Sequence, residues 1–338
     1  MPTLQDVARH AGVSTATVSK VISGTPYVSA PTAAKVRESI KAIGYRPNLA
    51  ARALSSGKTY MVAVIFPFVY DALFKDPLVM QILEGIESVC TEHHYNILLS
   101  TPRMSENGFE HYQRVLWSGY LEGVIAIDNV EVLSFADEAL SIDIPTVVIG
   151  YHEIAYSVRS DDFKGGRLAM QHILAQGHEH IGIIRVPAEM NVPVQQRLAG
   201  MHAAASEAGI EFDALPCVTS DFSIQGGAHA AQQLLNEKPD LTAIVSVNDR
   251  MAIGAVRHLI DMGKRVPEDI SVIGYDDITL AATSHPLLTT ISQDAVQLGR
   301  AAAQLLFEIL DDQSPDSVVL PPRLVQRSTV AQHTHKPV

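Results

Sequence analysis

Thr15, Ala16, Ser19 and Lys20 are spaced so that a helix presents them together, opposite the apolar Val18 and Ile22. Hydroxyl, methyl and ammonium groups on one slim helical face can hydrogen-bond base edges and meet phosphates, as a helix does in a DNA major groove. Other chemistry is poorly served. The chain has no GxSxG, HExxH or GxGxxG motif. Gly57-Lys58-Thr59 imitates the end of a phosphate-binding loop, but position 52, where that loop needs glycine, is Arg. The pairs His93-His94, His178/His180 and His333/His335 lack a nearby third ligand, and pairs arise easily among 14 histidines. No metal, cofactor or catalytic residue is assigned, and the chain is not expected to be an enzyme.

The elements that must carry the first face are readable. Thr3-Leu4-Gln5-Asp6 has the form of a capping box. Gly12 can take the positive φ of a tight turn, and Ser14 is a suitable N-cap for a second helix running to Ile22, ended by Gly24 and Pro26. Pro31 marks the start of a third helix that ends at Ile43-Gly44. Two short helices around a glycine turn are the helix-turn-helix plan. Charge agrees. Residues 1–60 carry eight Lys and Arg against Asp6 and Glu38, a net of +6, whereas the remaining 278 residues carry −18 of the overall −12. A basic head on an acidic body points to an anionic partner for the head alone.

Residues 3–24, followed by Tyr45-Arg46-Pro47-Asn48, Leu49-Ala50-Ala51-Arg52-Ala53-Leu54 and Ser55-Ser56-Gly57-Lys58-Thr59, closely resemble the N-terminal region of LacI/GalR-family transcription regulators. The resemblance implies that 48–55 is a hinge helix, paired with that of a second subunit in the minor groove at the operator centre. It also implies that Leu54 wedges between base pairs, the unstacking offset by contacts that the bend permits. The candidate DNA contacts are then Thr3, Ser14, Thr15, Ala16, Thr17, Ser19, Lys20, Tyr45, Asn48, Ala51 and Leu54.

From residue 61 onward, short β-branched runs alternate with helix-length segments. Strands are expected at 61–66, 96–100, 123–127 and 146–150, then at 181–185, 217–220, 243–247 and 271–274. Helices are expected at 79–95, 163–177, 194–209, 226–236 and 252–261. Two such series read as two parallel sheets covered by helices, with a ligand cleft beyond the strands' carboxyl ends. Asp76-Pro77-Leu78, Asp161-Asp162-Phe163, Arg197-Leu198-Ala199-Gly200, Val247-Asn248-Asp249 and Gly274-Tyr275-Asp276-Asp277 resemble the same family's body and its periplasmic sugar-binding relatives. The fold class implied is an N-terminal all-α helix-turn-helix head plus a periplasmic-binding-protein-like α/β body of two doubly wound parallel-sheet subdomains.

The resemblance divides the chain into a DNA-binding domain at 1–46, a hinge and linker at 47–59, and an effector-binding and dimerisation domain at 60–338. The two subdomains of the last are about 60–160 plus 292–323, and about 161–291 plus 324–330. It also carries effector contacts onto Arg197, Phe222, Asn248, Asp276 and Gln293, with Phe74 and Asp76 from the first loop. A carboxylate that accepts hydroxyls, a guanidinium, an amide and a flat ring suit a polyhydroxylated ligand. Departures are Gly150-Tyr151, where many sugar-responsive members have an acid or Arg, and Ile127 beside Asp128. The aromatic loop at 66–74 suits stacking on a larger sugar or simple packing equally well. Asn191 and Pro193 depart from the purine-responsive pattern.

With hydrophobic residues at 47%, charged residues at 18% and no apolar run of membrane length, a globular chain is expected. Polar Asp6 and Arg9 where a signal peptide is apolar, and two cysteines without CxxC spacing, suggest the cytoplasm. The expected partners are near-palindromic double-stranded DNA, a saccharide-type small-molecule effector and a second copy of the chain. The expected function is a sugar-responsive repressor. The alternatives are a corepressor-dependent regulator and a saccharide receptor without a regulatory role.

Overall fold

The computed structural model describes residues 2–22, 27–46, 58–66, 74, 76–101, 106–128, 135–187 and 191–333, and the chain divides into two units, Met1–Thr59 and Tyr60–Val338. In the first unit, Thr3 opens α1 (Leu4–Ala11) with the expected reciprocal cap. Its backbone N–H donates to Asp6 Oδ2 at 2.9 Å, and its Oγ1 accepts from the Asp6 N–H at 3.4 Å. Gly12 ends α1 in the left-handed region, at φ 62°, which frees the chain to turn into α2 (Thr15–Ile22). The Ser14 hydroxyl caps α2 by accepting from the Thr17 N–H at 3.1 Å. After Pro31 in its first turn, α3 (Ala30–Ile43) runs to Gly44.

Val7, Ala8, Ala11, Val18, Val21 and Val36 form the small core of this unit. Here the structure differs in detail from expectation: Val21, three residues after Val18, is buried with it, and Ile22 packs at the rim, because α2 ends there and leaves Ile22 only half covered. The expected helix stops Gly24 and Pro26, and the expected hinge helix with Asn48, Ala51 and Leu54, lie outside the described residues.

The second unit begins with β1 (Met61–Ile65), α4 (Pro77–Glu92), β2 (Asn96–Ser100), α5 (Glu106–Leu116), β3 (Gly123–Asp128), α6 (Phe135–Ser141), β4 (Thr146–Gly150) and β5 (Tyr156–Ser160). It continues with α7 (Asp162–Ala175), β6 (Ile181–Arg185), α8 (Val192–Glu207), β7 (Cys217–Thr219), α9 (Ile224–Glu237), β8 (Ala243–Ser246), α10 (Asp249–Asp261), β9 (Ser271–Asp276) and β10 (Thr289–Ser292). The last elements are α11 (Ala295–Leu310), β11 (Val318–Leu320) and β12 (Arg323–Val325).

The strands form two six-stranded sheets, ordered β11-β5-β4-β3-β1-β2 and β12-β10-β9-β8-β6-β7. The first is parallel throughout. In the second, the edge strand β12 pairs antiparallel with β10 and every other pairing is parallel. The chain thus passes between subdomains three times: after β5, after β10, and between β11 and β12. Val62, Val64, Ile125, Val147 and Ile149 are at most 5% exposed, as central parallel strands covered on both faces must be.

Three helix pairs approach unusually closely through paired glycines. A Cβ on Gly85 of α4 would lie 2.0 Å from the Val296 carbonyl oxygen of α11, and one on Gly299 of α11 would lie 2.0 Å from that of Ile82. Gly227 and Gly254 play the same part for α9 and α10. In the third pair, a Cβ on Gly166 of α7 would sit 1.9 Å from the Arg197 carbonyl oxygen, and one on Gly200 of α8 would sit 1.9 Å from that of Phe163. No real contact is that short, so a methyl group must push the helices apart. Gly166→Ala is expected to lower stability by about 1–3 kcal/mol in a urea titration, the usual cost of overpacking. A variant as stable as the parent would show that α7 and α8 can separate freely.

Candidate functional site

Two surfaces gather the candidate residues. On the first unit, Thr3, Ser14, Thr15, Ala16, Ser19 and Lys20 are exposed, while Thr17 and Tyr45 are half-buried. Thr3 and Ser14 also have structural duties: the Thr3 hydroxyl donates to Asp6 Oδ2 at 2.8 Å, and Ser14 and Thr17 share a hydroxyl hydrogen bond of 2.9 Å. Thr15, Ala16, Ser19 and Lys20 form the outward row that the spacing predicts.

The second surface lies at the carboxyl ends of the second subdomain's strands. Strand β9 extends two residues beyond the expected 274 and so carries Tyr275 and Asp276 to its end. Asp276 and Asp277 have φ of 117° and 59°, and Phe222 has 64°. Such backbone costs free energy, and it persists where surrounding contacts hold it. The holding contacts centre on Arg197, early in α8. Its Nε donates to Asp162 Oδ1 at 2.8 Å, and its Nη1 donates to the Val247 carbonyl at 2.7 Å and to Asp276 Oδ1 at 3.4 Å. Its guanidinium carbon lies 3.7 Å from the centroid of the Tyr275 ring, close enough for a cation–π contact.

Asp162, the first residue of α7, also accepts from the Tyr275 hydroxyl at 3.3 Å and from the Tyr151 hydroxyl at 3.4 Å. Gln293 Nε2 donates to Asp276 Oδ1 at 2.7 Å. Asn248 caps α10 by accepting from the Met251 N–H at 3.0 Å, and its amide nitrogen reaches the Phe222 carbonyl at 3.5 Å. Behind this layer Asp249 accepts from the Thr290 hydroxyl at 2.5 Å and from the Ile278 N–H at 2.9 Å. The space for its carboxyl exists because residue 274 is Gly: a Cβ there would lie 2.2 Å from Asp249 Oδ1.

Burial and crowding set the charges. Burial pushes the Asp276 carboxyl up to about 7, with Arg197 pulling it back and nearby Asp76 adding to the rise. Burial, then Asp276 itself, holds Asp249 well above the usual carboxylate range. Burial alone would lower Arg197, but Asp162, Tyr275 and Asp276 outweigh it and keep the guanidinium charged. Burial raises the Tyr151 hydroxyl to about 12, with Asp162 adding to the rise.

Arg197, Asn248, Asp276 and Gln293 are therefore brought together, with Phe222 half-buried beside Asn248. Asp76 caps α4 on the other subdomain, and its Oδ2 accepts from Arg250 Nη1 at 3.3 Å, an ion pair that joins the two subdomains. Phe74 is 71% exposed, and most of the loop around it lies outside the described residues. Asp162, Tyr275, Asp249 and Arg250 escaped residue-by-residue assignment. The one local signal for Asp162 was a carboxylate directly after a β run and before a helix. A separate cavity of about 160 Å³ opens between Ile253, Val256, Arg257 and the turn at 283–288, and none of its lining residues belongs to the Arg197 cluster.

Among the described residues, Arg197 Nη2 and Asp276 Oδ2 are left without hydrogen bonds. A donor and an acceptor at the edge of a fixed, charged cluster can bind neighbouring hydroxyls. The described residues contain no group of three His, Cys, Asp or Glu that could hold a metal ion, and no helix long and apolar enough to cross a membrane.

Residues 3–48 match the family described as bacterial regulatory proteins, lacI family, and residues 170–330 match the periplasmic binding protein-like domain. HTH-type transcriptional regulator CelR from Thermobifida fusca is 35% identical over 334 residues, covering 94% of this chain and 95% of the relative. The chain belongs to the lacI family. Among solved structures of lacI-family proteins, the lac repressor dimer bound to operator and the anti-inducer ONPF matches with a TM-score of 0.85 at 29% identity, covering 98% of this chain and 99% of that one. A complex of transcriptional regulator CelR with cellobiose matches with a TM-score of 0.74 at 31% identity, covering 97% and 100%. As a lacI-family member, the chain is a ligand-responsive, DNA-binding transcription regulator.

Proposed function

We propose that this regulator represses saccharide-utilisation genes and is released from a near-palindromic operator when a saccharide fills the cleft around Asp276. The observation that carries this reading is a pair of polar atoms, Arg197 Nη2 and Asp276 Oδ2, that hydrogen-bond no other described residue, on a cluster that also holds Asn248 and Gln293. A carboxylate oxygen accepts from hydroxyls, and a guanidinium N–H donates to a hydroxyl or ring oxygen. The solved likeness with cellobiose bound supports the ligand class.

In this reading residues 1–46 bind the major groove through Thr15, Ala16, Ser19 and Lys20, with Thr3, Ser14, Thr17 and Tyr45 around them. Residues 47–59 supply Asn48, Ala51 and the wedge Leu54 to the minor groove, and 60–338 bind effector and pair two copies. Two half-sites require two copies, and a regulator of bacterial genes works in the cytoplasm. Effector acts through its higher affinity for the state whose hinges are unpaired, since a ligand moves an equilibrium only by such a difference.

The test is release from an operator selected from random DNA, followed by fluorescence anisotropy while mono- and disaccharides and purines are added. A saccharide is expected to weaken operator binding at least tenfold. A purine that tightens binding, with all saccharides silent, would overturn the reading in favour of a corepressor.

A further inference from the structure

The rim of the cleft carries a cation that the candidate list omits. Arg250 is the second residue of α10, two positions beyond Asn248, and its side chain is 17% exposed. It is neutralised from the opposite subdomain by Asp76, whose Oδ2 lies 3.3 Å from Nη1. Asp221, beside Phe222, is held below the usual carboxylate range chiefly by the Ser223 hydroxyl, with a smaller contribution from Arg250. Arg197, the inner cation, already faces Asp162 and Asp276. Among the described residues, Asp76, Asp162, Asp221, Asp249 and Asp276 gather around Arg197 and Arg250, each ion-paired with a carboxylate, while Arg159 lies over the Tyr151 ring, 4.7 Å from its centroid. An anionic group placed between Arg197 and Arg250 would meet two cations already paired and would add to carboxylate repulsion, while a neutral polyol needs only donors and acceptors.

We propose that Asp76 is a specificity-determining residue that reserves the cleft for uncharged effectors by neutralising Arg250, and that without it Arg250 would accept a phosphate group. The identity of the neutral effector rests on the saccharide reading, whereas the charge rule does not. Arg suits a phosphate bidentately once its carboxylate partner is gone.

The experiment uses the full chain and Asp76→Asn, because asparagine preserves the cap that Asp76 Oδ1 makes with the Leu78 N–H at 3.0 Å. Asp76→Ser serves as a second cap-competent variant should the first fold poorly. Thermal unfolding is followed against inorganic phosphate, with chloride at matched ionic strength as the control. The parent is expected to show no phosphate-specific shift. Asp76→Asn is expected to gain a saturable rise of a few degrees that disappears in the double variant Asp76→Asn/Arg250→Gln. In a parallel titration, cellobiose 6-phosphate should bind the parent at least tenfold more weakly than cellobiose, and Asp76→Asn should narrow that ratio at least fivefold. A parent stabilised by phosphate, or cap-competent variants that gain nothing, would overturn the charge rule. A phosphate gain with no saccharide binding would uphold the rule and instead overturn the saccharide reading.

Discussion

Arg197→Met is expected to destabilise the 60–338 unit by about 3–5 kcal/mol, the usual cost of leaving buried charge unpaired. Methionine fills much of the same volume, so the loss reports charge and hydrogen bonding more than a cavity. Removing the guanidinium strands the Asp162 and Asp276 carboxylates, 3% and 6% exposed, and takes the donor from the Val247 carbonyl. Lysine should not rescue the variant, because one ammonium cannot hold Asp162 through Nε and Val247 through Nη1 at once. The sign with pH follows. Without Arg197 the Asp276 carboxyl, already raised by burial, loses the guanidinium that pulls it back and rises further, so the deficit is largest at pH 8 and shrinks as protonation neutralises that group toward pH 5. Urea unfolding of the parent, Arg197→Met and Arg197→Lys at both pH values measures this. A deficit under about 1 kcal/mol at pH 8 would mean that Arg197 is not what compensates these acids.

Asp276→Asn should separate effector binding from folding. Effector release of the operator is expected to disappear, while operator affinity without effector stays within twofold of the parent. Stability should not fall, and at pH 8 it should rise. Burial raises Asp276 from 3.8 to about 7, so between those values the folded chain keeps a proton that the unfolded chain has lost. The protonated group's contribution is fully present below about 4 and fades as pH climbs to about 7. Asparagine has no such slope. It retains an oxygen for Gln293 Nε2 and tolerates the positive φ at this position better than most residues. Effector affinity in the parent should increase from pH 6 to 8, since only the ionised carboxylate is an acceptor at both oxygens, whereas any residual affinity of the variant should be flat. Isothermal titration at the two pH values reads both. Normal operator release by effector in Asp276→Asn would remove Asp276 from the proposed pocket.

The head shows how far neighbouring residues reach. Thr3 with Asp6, Gly12, Ser14 with Thr17, and Gly44 each act within four residues, and each sits where its spacing predicts. The α2 surface was legible for the same reason, and only the exchange of Ile22 for Val21 in the core depended on where the helix met α1 and α3. In the body, the β-branched runs located the first four strands of each sheet, but β5 passed unrecognised, because its buried positions include Ser157 and Ser160. The antiparallel β12 has only three residues and no pattern of its own.

Residue type and local periodicity by themselves determined the basic helical head, the alternating α/β body, the acid-rich charge of that body and, through resemblance, the five residues that meet at the strand ends. Only the tertiary structure decided which charges neutralise one another. Arg197 finds Asp162 and Asp276 at separations of 35 and 79 residues, Tyr275 reaches Asp162 across 113, and Arg250 meets Asp76 across 174. These pairings exist because the chain passes three times between two sheets and because Gly166 and Gly200 let α7 and α8 touch. A carboxylate's ionisation depends on its burial and on the charges within a few ångströms, and both are properties of the folded arrangement. That is why Asp276 was legible as a candidate, while its raised affinity for protons and the capture of Arg250 by Asp76 were not.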